Sequence, residues 1–231
     1  MNRHFEILDL EYVFGGVEQH LYPAVLFDGD DAVLVDCGYP GSLPMIEAQL
    51  LSRGIAPERI TKLVLTHQDD DHMGAAAELK EKYPAIEILA SAEEAPYISG
   101  QQKNLRLQQG EDMQDGLPEE EKAFGEAFCE RYRALRPVEV DVFVHDGDRF
   151  DWGGGCVIMA TPGHMPGHIS IRALDDEYII TGDAATIEGN ELVIANPGFC
   201  LDVEAAQKSL DAMLSLKCKS YICYHGGVFK R

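Results

Sequence analysis

Short β-type runs alternate with amphipathic helical stretches, and histidines and aspartates cluster where those runs end. Together these features predict a mixed α/β (α+β) chain: a four-layered αββα sandwich with its functional groups along one edge of two sheets. The 231 residues are 45% hydrophobic and 26% charged, as in a folded globular protein. The length suits a single domain over 1–231 with a substantial core.

Strands are expected at 5–10, 22–27, 32–36, 62–66, 86–90, 138–144, 156–160, 169–173, 178–181 and 220–224, several of them β-branched and bounded by Gly, Pro or Asp. Helices fall between them. Leu43, Ile46 and Leu50 share one face after Ser42, and a helix over 75–83 is stopped by Pro84. Ser91-x-x-Glu94 has the form of a capping box. Asp202 is placed to cap a helix that buries Leu210, Met213 and Leu214. Residues 96–137 break the strand pattern and read as a helical insertion within the domain. Six of the eleven residues from Glu111 to Glu121 are acidic; Phe124, Phe128, Tyr132 and Leu135 then recur at helical spacing, with Arg131, Arg133 and Arg136 near the end. That charge order suits the helix dipole, and the stripe is expected to pack on the body, leaning over the functional edge. Tyr97, Phe124 and Phe128 are candidates for a pocket wall there.

Charge narrows the partners. With 19 Lys+Arg against 40 Asp+Glu the formal charge is −21, which opposes binding to nucleic-acid phosphates and to anionic membranes. No stretch approaches the roughly 20 apolar residues of a membrane span, and the first residues lack a signal-peptide core, so a cytoplasmic protein with a small-molecule substrate is expected. The sequence does not give an oligomeric state. Cysteines at 37, 129, 156, 200, 218 and 223 form no C-x-x-C pair and read as small buried apolar side chains.

The chemistry concentrates in Leu63-Val64-Leu65-Thr66-His67-Gln68-Asp69-Asp70-Asp71-His72-Met73-Gly74. A hydrophobic strand ends in two histidines and three aspartates, and a helix follows. Side chains at 67, 69, 71 and 72 can converge on a small volume, where divalent cations would relieve carboxylate repulsion and supply ligation energy. Asp70 points away if the loop is extended and reads as a solvated acid. Three further strand ends carry ligand types: Thr161-Pro162-Gly163-His164-Met165-Pro166-Gly167-His168, Thr181-Gly182-Asp183, and Tyr224-His225-Gly226-Gly227.

In this combination the sequence resembles the metallo-β-lactamase superfamily, whose signature is H-x-H-x-D-H followed by a distant His, an Asp and a His. His67-x-Asp69-x-Asp71-His72, His164, Asp183 and His225 follow that order, and Val35-Asp36-Cys37-Gly38 and Asp146-Gly147-Asp148-x-Phe150 resemble its flanking turns. The resemblance runs from about Tyr22 to Gly227, except over 96–137. It implies two divalent metal ions, zinc first, with iron or manganese as alternatives. His67, Asp69 and His164 would hold one, Asp71, His72 and His225 the other, and Asp183 would bridge them. Asp36 is implied as an acceptor orienting the metal loop, and His168 as a supporting residue. His4, His20 and His145 have no such context. Asp69 departs from the signature, which has His there; a carboxylate makes that site harder and more anionic and favours iron or manganese without excluding zinc.

The resemblance implies a dinuclear hydrolase in which a metal-bridging hydroxide attacks the substrate, with Asp183 as bridge and Asp71 as a proton acceptor. The Thr161–His168 turn looks like those of glyoxalase II and N-acyl homoserine lactonases, so a small ester, thioester or lactone is expected. Only six residues follow His225, too few for the helical region through which glyoxalase II binds glutathione. The alternative is a diiron redox enzyme acting on oxygen, nitric oxide or sulfur species with a separate electron donor, motivated by Asp69. A third reading is a regulatory metal-binding fold without turnover.

Overall fold

The computed structural model describes residues 4–175 and 177–231. Within them, β1 (Phe5–Ile7) is followed by a hairpin of β2 (Leu10–Phe14) and β3 (Val17–Leu21), then β4 (Ala24–Asp28), β5 (Asp31–Val35), β6 (Ile60–Val64), β7 (Glu87–Ser91) and β8 (Val142–Val144). The second half supplies β9 (Arg149–Phe150), β10 (Cys156–Ala160), β11 (Ile169–Ala173), β12 (Tyr178–Gly182), a hairpin of β13 (Thr186–Glu188) and β14 (Glu191–Val193), β15 (Ser220–Cys223) and β16 (Gly227–Lys230). Two six-stranded sheets result, ordered β1-β4-β5-β6-β7-β8 and β16-β15-β12-β11-β10-β9. The first runs parallel from β5 to β8 and the second is antiparallel except for β12 with β15, which rules out an all-parallel doubly wound sheet.

Strand periodicity builds the layers. Val33, Val35, Val64 and Leu89 point inward and meet Ile158, Ile171, Ile180 and Ile222 of the other sheet. Their neighbours Leu34, Leu63 and Ile88 point outward, beneath α1 (Leu43–Ser52) and α3 (Ala76–Lys82), which contribute Ile46, Leu50 and Leu79. On the far face Ile179, Tyr221 and Cys223 lie under Leu210 and Met213 of α7 (Val203–Ser215). Asp202 caps that helix by accepting from the Ala205 N–H at 2.9 Å. The section is therefore αββα. All six cysteines are buried free thiols.

Residues 95–133 carry α4 (Ala95–Ile98), α5 (Leu105–Met113) and α6 (Glu119–Arg133). Helices α5 and α6 touch at Gly110, where a β-carbon would lie 2.9 Å from the Phe128 ring. The buried face of α6 is Gly125, Cys129 and Tyr132. Phe124 is 78% exposed, because the four-residue step from Phe128 rotates it off that face, so it forms no pocket wall. The β2–β3 hairpin is an addition to the sequence reading. Its turn is Gly15-Gly16, both at positive φ, as a two-residue hairpin demands. No described helix is long and apolar enough to cross a membrane.

Candidate metal centre

Strand direction decides where the chemistry gathers. Strands β5 and β6 are parallel, as are β12 and β15, and β10 is codirectional with β12 through the intervening antiparallel β11. Within each sheet these strands end at one edge, and the segments after them carry Asp36, 66–72, His164, Asp183 and His225, whose ligand atoms from both sheets converge. After β6 the chain turns at Asp69 into the one-turn helix α2 (Asp70–Met73), which sends Asp69 and Asp71 to one side and Asp70 to the other.

The seven predicted side chains come together. His67, Asp69 and His164 form one group of mutually close ligand atoms, Asp71, His72 and His225 another, and Asp183 joins His67 and His72 in a third between them. In the first group Asp69 Oδ2 lies 3.5 Å from His67 Nε2 and 3.0 Å from His164 Nε2. In the second, His225 Nε2 lies 3.2 Å from Asp71 Oδ2, and Asp183 Oδ1 lies 3.2 Å from His72 Nε2 and 3.4 Å from His225 Nε2. Asp183 Oδ2 reaches His164 Nε2 at 3.4 Å. Ligand atoms bonded at about 2.0–2.2 Å to one tetrahedral cation sit at such separations from each other. His67 Nε2, His72 Nε2 and Asp183 Oδ1 are buried with no hydrogen-bond partner in the protein. Unpaired buried polar atoms aimed at a common point fit a divalent cation.

Supporting contacts fix the ligands. Asp36, at φ 60°, accepts from the Thr66 N–H and hydroxyl, each at 2.8 Å, and lies 2.8 Å from His72 Nδ1, so His72 presents Nε2 to the centre. His168 accepts the Asp183 N–H at Nε2 (2.9 Å) and pairs with the Thr161 hydroxyl through Nδ1 (2.8 Å). Burial opposes the charged forms, but Asp183 and Asp71 outweigh it at His225, whose pKa rises to about 10. His225 and His72 in turn hold Asp183 well below the carboxylate range, also against burial.

Arg106 is the residue that sequence reasoning missed. It is only 1% exposed, and it enters from the second position of α5. Its Nη2 donates to Asp69 Oδ2 at 2.7 Å and lies 3.1 Å from His164 Nε2. Burial would raise the Asp69 carboxyl, but this guanidinium holds it well below the usual range. Asp70 corrects the solvated reading: it is buried and pairs with Arg131 Nε of α6 at 2.8 Å. Burial and the neighbouring Asp71 push its pKa up to about 7. The capping box is half formed. Ser91 Oγ accepts from the Glu94 N–H, but the Glu94 carboxylate turns to the N–H groups of Gln68 and Gly167 and ties the two metal loops together. His20 and His145 lie outside the centre, beside Asp9 and Asp148. His4 lines a cavity of about 520 Å³ with Phe27, Arg53 and Arg59, and that cavity holds none of the clustered ligands.

A profile of the metallo-beta-lactamase superfamily matches residues 22–225. The chain belongs to that superfamily and is classed with its metal-dependent hydrolases. The probable metallo-hydrolase YflN of Bacillus subtilis is 26% identical over 213 residues, covering 84% of this chain and 75% of that protein. The metallo-beta-lactamase fold-containing protein ST1585 of Sulfurisphaera tokodaii is 28% identical over 218 residues, covering 90% and 78%. A hydroxyacylglutathione hydrolase of Xanthomonas euvesicatoria is 25% identical over 198 residues, covering 84% and 69%. Among solved structures, the family protein TTHA1429 of Thermus thermophilus superposes with a TM-score of 0.75 at 18% identity, covering 98% of this chain and 75% of that one.

Proposed function

We propose that the chain hydrolyses a small ester, thioester or lactone at a centre of two divalent cations, zinc first among them, held by His67, Asp69, Asp71, His72, His164, Asp183 and His225. The observation that carries this reading is the convergence of those side chains from four strand ends, with buried nitrogens of His67 and His72 left without a hydrogen-bond partner in the protein. Cations held there would supply activated water near neutral pH and Lewis-acid stabilisation for the oxygen that gains charge.

The protein's own groups set the approach. Asp71 and His225 are the open members, with side chains 15% and 36% exposed, while His67, His72 and His164 are buried. Substrate therefore enters over Asp71 and His225. Asp71 is the carboxylate placed to take up a proton there, and Asp183, held through its backbone by His168, keeps both halves in register. Tyr39 and Phe199, each stacked against one of the two arginines, give the rim an apolar character that suits an uncharged acyl group. The relative named as a hydroxyacylglutathione hydrolase supports a thioester among the candidates. The redox alternative drew on Asp69 as an added anionic ligand; its pairing with Arg106 offsets that charge and favours the hydrolase.

The test is a panel of short-chain esters, thioesters and lactones, assayed after chelation and again after zinc, manganese or iron(II) is returned. Turnover of at least one class that vanishes with chelator and returns with metal is expected. Absence of turnover on the whole panel, with metal demonstrably bound, would favour the regulatory reading.

A further inference from the structure

We propose that Arg106 is a built-in cation that competes with a metal ion for Asp69 and His164. The centre then fills stepwise: the half made by Asp71, His72, His225 and Asp183 first, and the half beside Arg106 only at higher metal concentration, with the guanidinium displaced. This rests on the metal-centre reading above and adds an order of occupancy that the ligand set alone does not give.

Lone pairs are the first argument. Arg106 Nη2 lies 3.1 Å from His164 Nε2 and donates to Asp69 Oδ2 at 2.7 Å, while Arg106 Nε approaches both carboxylate oxygens at 3.2–3.3 Å. An imidazole nitrogen offers one in-plane lone pair, so in the tautomer that leaves Nε2 unprotonated, the one a metal also needs, His164 Nε2 accepts from the guanidinium or binds a metal, not both. The charge-assisted fork likewise occupies the face of Asp69 that points at the centre.

Charge is the second. A buried carboxylate needs a compensating cation. Asp69 has one inside the protein. Asp71 and Asp183 form ion pairs only with histidines among the described residues, and Asp36 adds a further buried carboxylate behind His72. The second half therefore has no permanently charged partner inside the protein, and the first does. A divalent ion beside the guanidinium would also be repelled by it.

Arg106 is also held in place. Its helix begins at Asn104, whose side chain accepts the Arg106 and Leu107 N–H groups and donates to the Gln68 carbonyl. The Leu105 N–H donates to the Gln68 side chain at 2.7 Å. Arg106 Nη1 donates to Gln109 Oε1 at 2.6 Å, and the guanidinium lies over the Phe199 ring at 5.3 Å. The start of α5 is thus stitched to the residue between His67 and Asp69, which makes the pairing a designed contact and not a chance rotamer.

The experiment titrates chelator-treated protein with zinc by calorimetry and measures retained metal after desalting, for the parent, R106A and R106Q. The parent is expected to retain one equivalent and to bind the second weakly. The variants should retain close to two, with the second site tightened by roughly 10–100-fold, the range typical of groups that act on metal ligands, and the first unchanged. Two equally tight equivalents in the parent would overturn the proposal, whether or not the variants fold. So would loss of an equivalent in well-folded R106A, which would make Arg106 a support for Asp69 as a ligand. No substrate is involved, so absent turnover leaves this result intact. A parent that binds no zinc at all would instead end the metal-centre reading.

Discussion

The two halves of the centre share Asp183 but are built on opposite electrostatic plans. Around His67, Asp69 and His164, one carboxylate is matched by one guanidinium and covered by α5. Around His72 and His225, Asp71, Asp183 and Asp36 are matched by imidazoles alone, and the side facing solvent is open. An acid at position 69 is therefore more than a harder ligand in place of imidazole. It has become the partner of a resident cation, which offsets its negative charge for as long as the guanidinium stays in place. Identity of ligand types, taken alone, does not make two sites equal.

The largest effect should come from the half without a guanidinium. His72→Ala or Asp183→Ala should remove the tightly held metal equivalent and, with several kcal/mol of Lewis-acid stabilisation lost, reduce hydrolysis by roughly 10²–10⁴-fold. Elemental analysis after desalting and kcat/KM on the best substrate check this. If either variant kept its tight equivalent and parent rate, the comparison would be wrong at its root.

Next is Asp69→His, which restores the superfamily signature while leaving Arg106 buried without its carboxylate. Breaking one partner of a buried pair costs about 3–5 kcal/mol. The single variant should lose most of that stability in chelator and still fail to fill the first half, whereas D69H/R106Q should recover both. Urea unfolding of the metal-free single and double variants measures the coupling, and additive effects would show that Asp69 and Arg106 act independently. A smaller shift is expected from Asp36→Asn, which weakens the hold on His72. The tight equivalent should bind about 10–100-fold more weakly, with the first half unchanged.

These contrasts mark what could be read from the chain. The seven clustered residues were legible because each follows a hydrophobic strand and falls in a recognisable order, and His168 and Asp36 take the supporting positions expected of them. Arg106 was not legible. It reaches the centre from an insertion whose sequence shows acidic runs and an aromatic stripe, and helical spacing cannot say which body a helix end will dock against. The hint was indirect: an added anion at 69, among others already there, needs a cation. The solvated reading of Asp70 failed for the same reason, since its partner Arg131 lies 61 positions away in sequence. The β2–β3 hairpin carried a usable signal in Gly15-Gly16 that an inventory of β-branched runs passes over.

The smallest effect tests whether the insertion supports the loop or shapes its chemistry. Arg131 reaches Asp70 from α6 as Arg106 reaches Asp69 from α5, and the two acids are adjacent. Yet the Arg131 side chain is 46% exposed while that of Arg106 is 1% exposed. Solvent screens the outer pair, so its removal should fall well short of the buried-pair cost, at about 1–2 kcal/mol. For a chain of this size that is a drop of roughly 2–8 °C in Tm. Asp70 faces away from the metal ligands, so Arg131→Ala should leave the tight equivalent and kcat near parent values. Arg131→Lys keeps the charge but loses the planar stack on Tyr39 and Phe128, and should recover only part of the stability. If Arg131→Ala instead altered metal stoichiometry as R106A is expected to, the two arginines would form one unit, and the whole insertion, not Arg106 alone, would govern the first half.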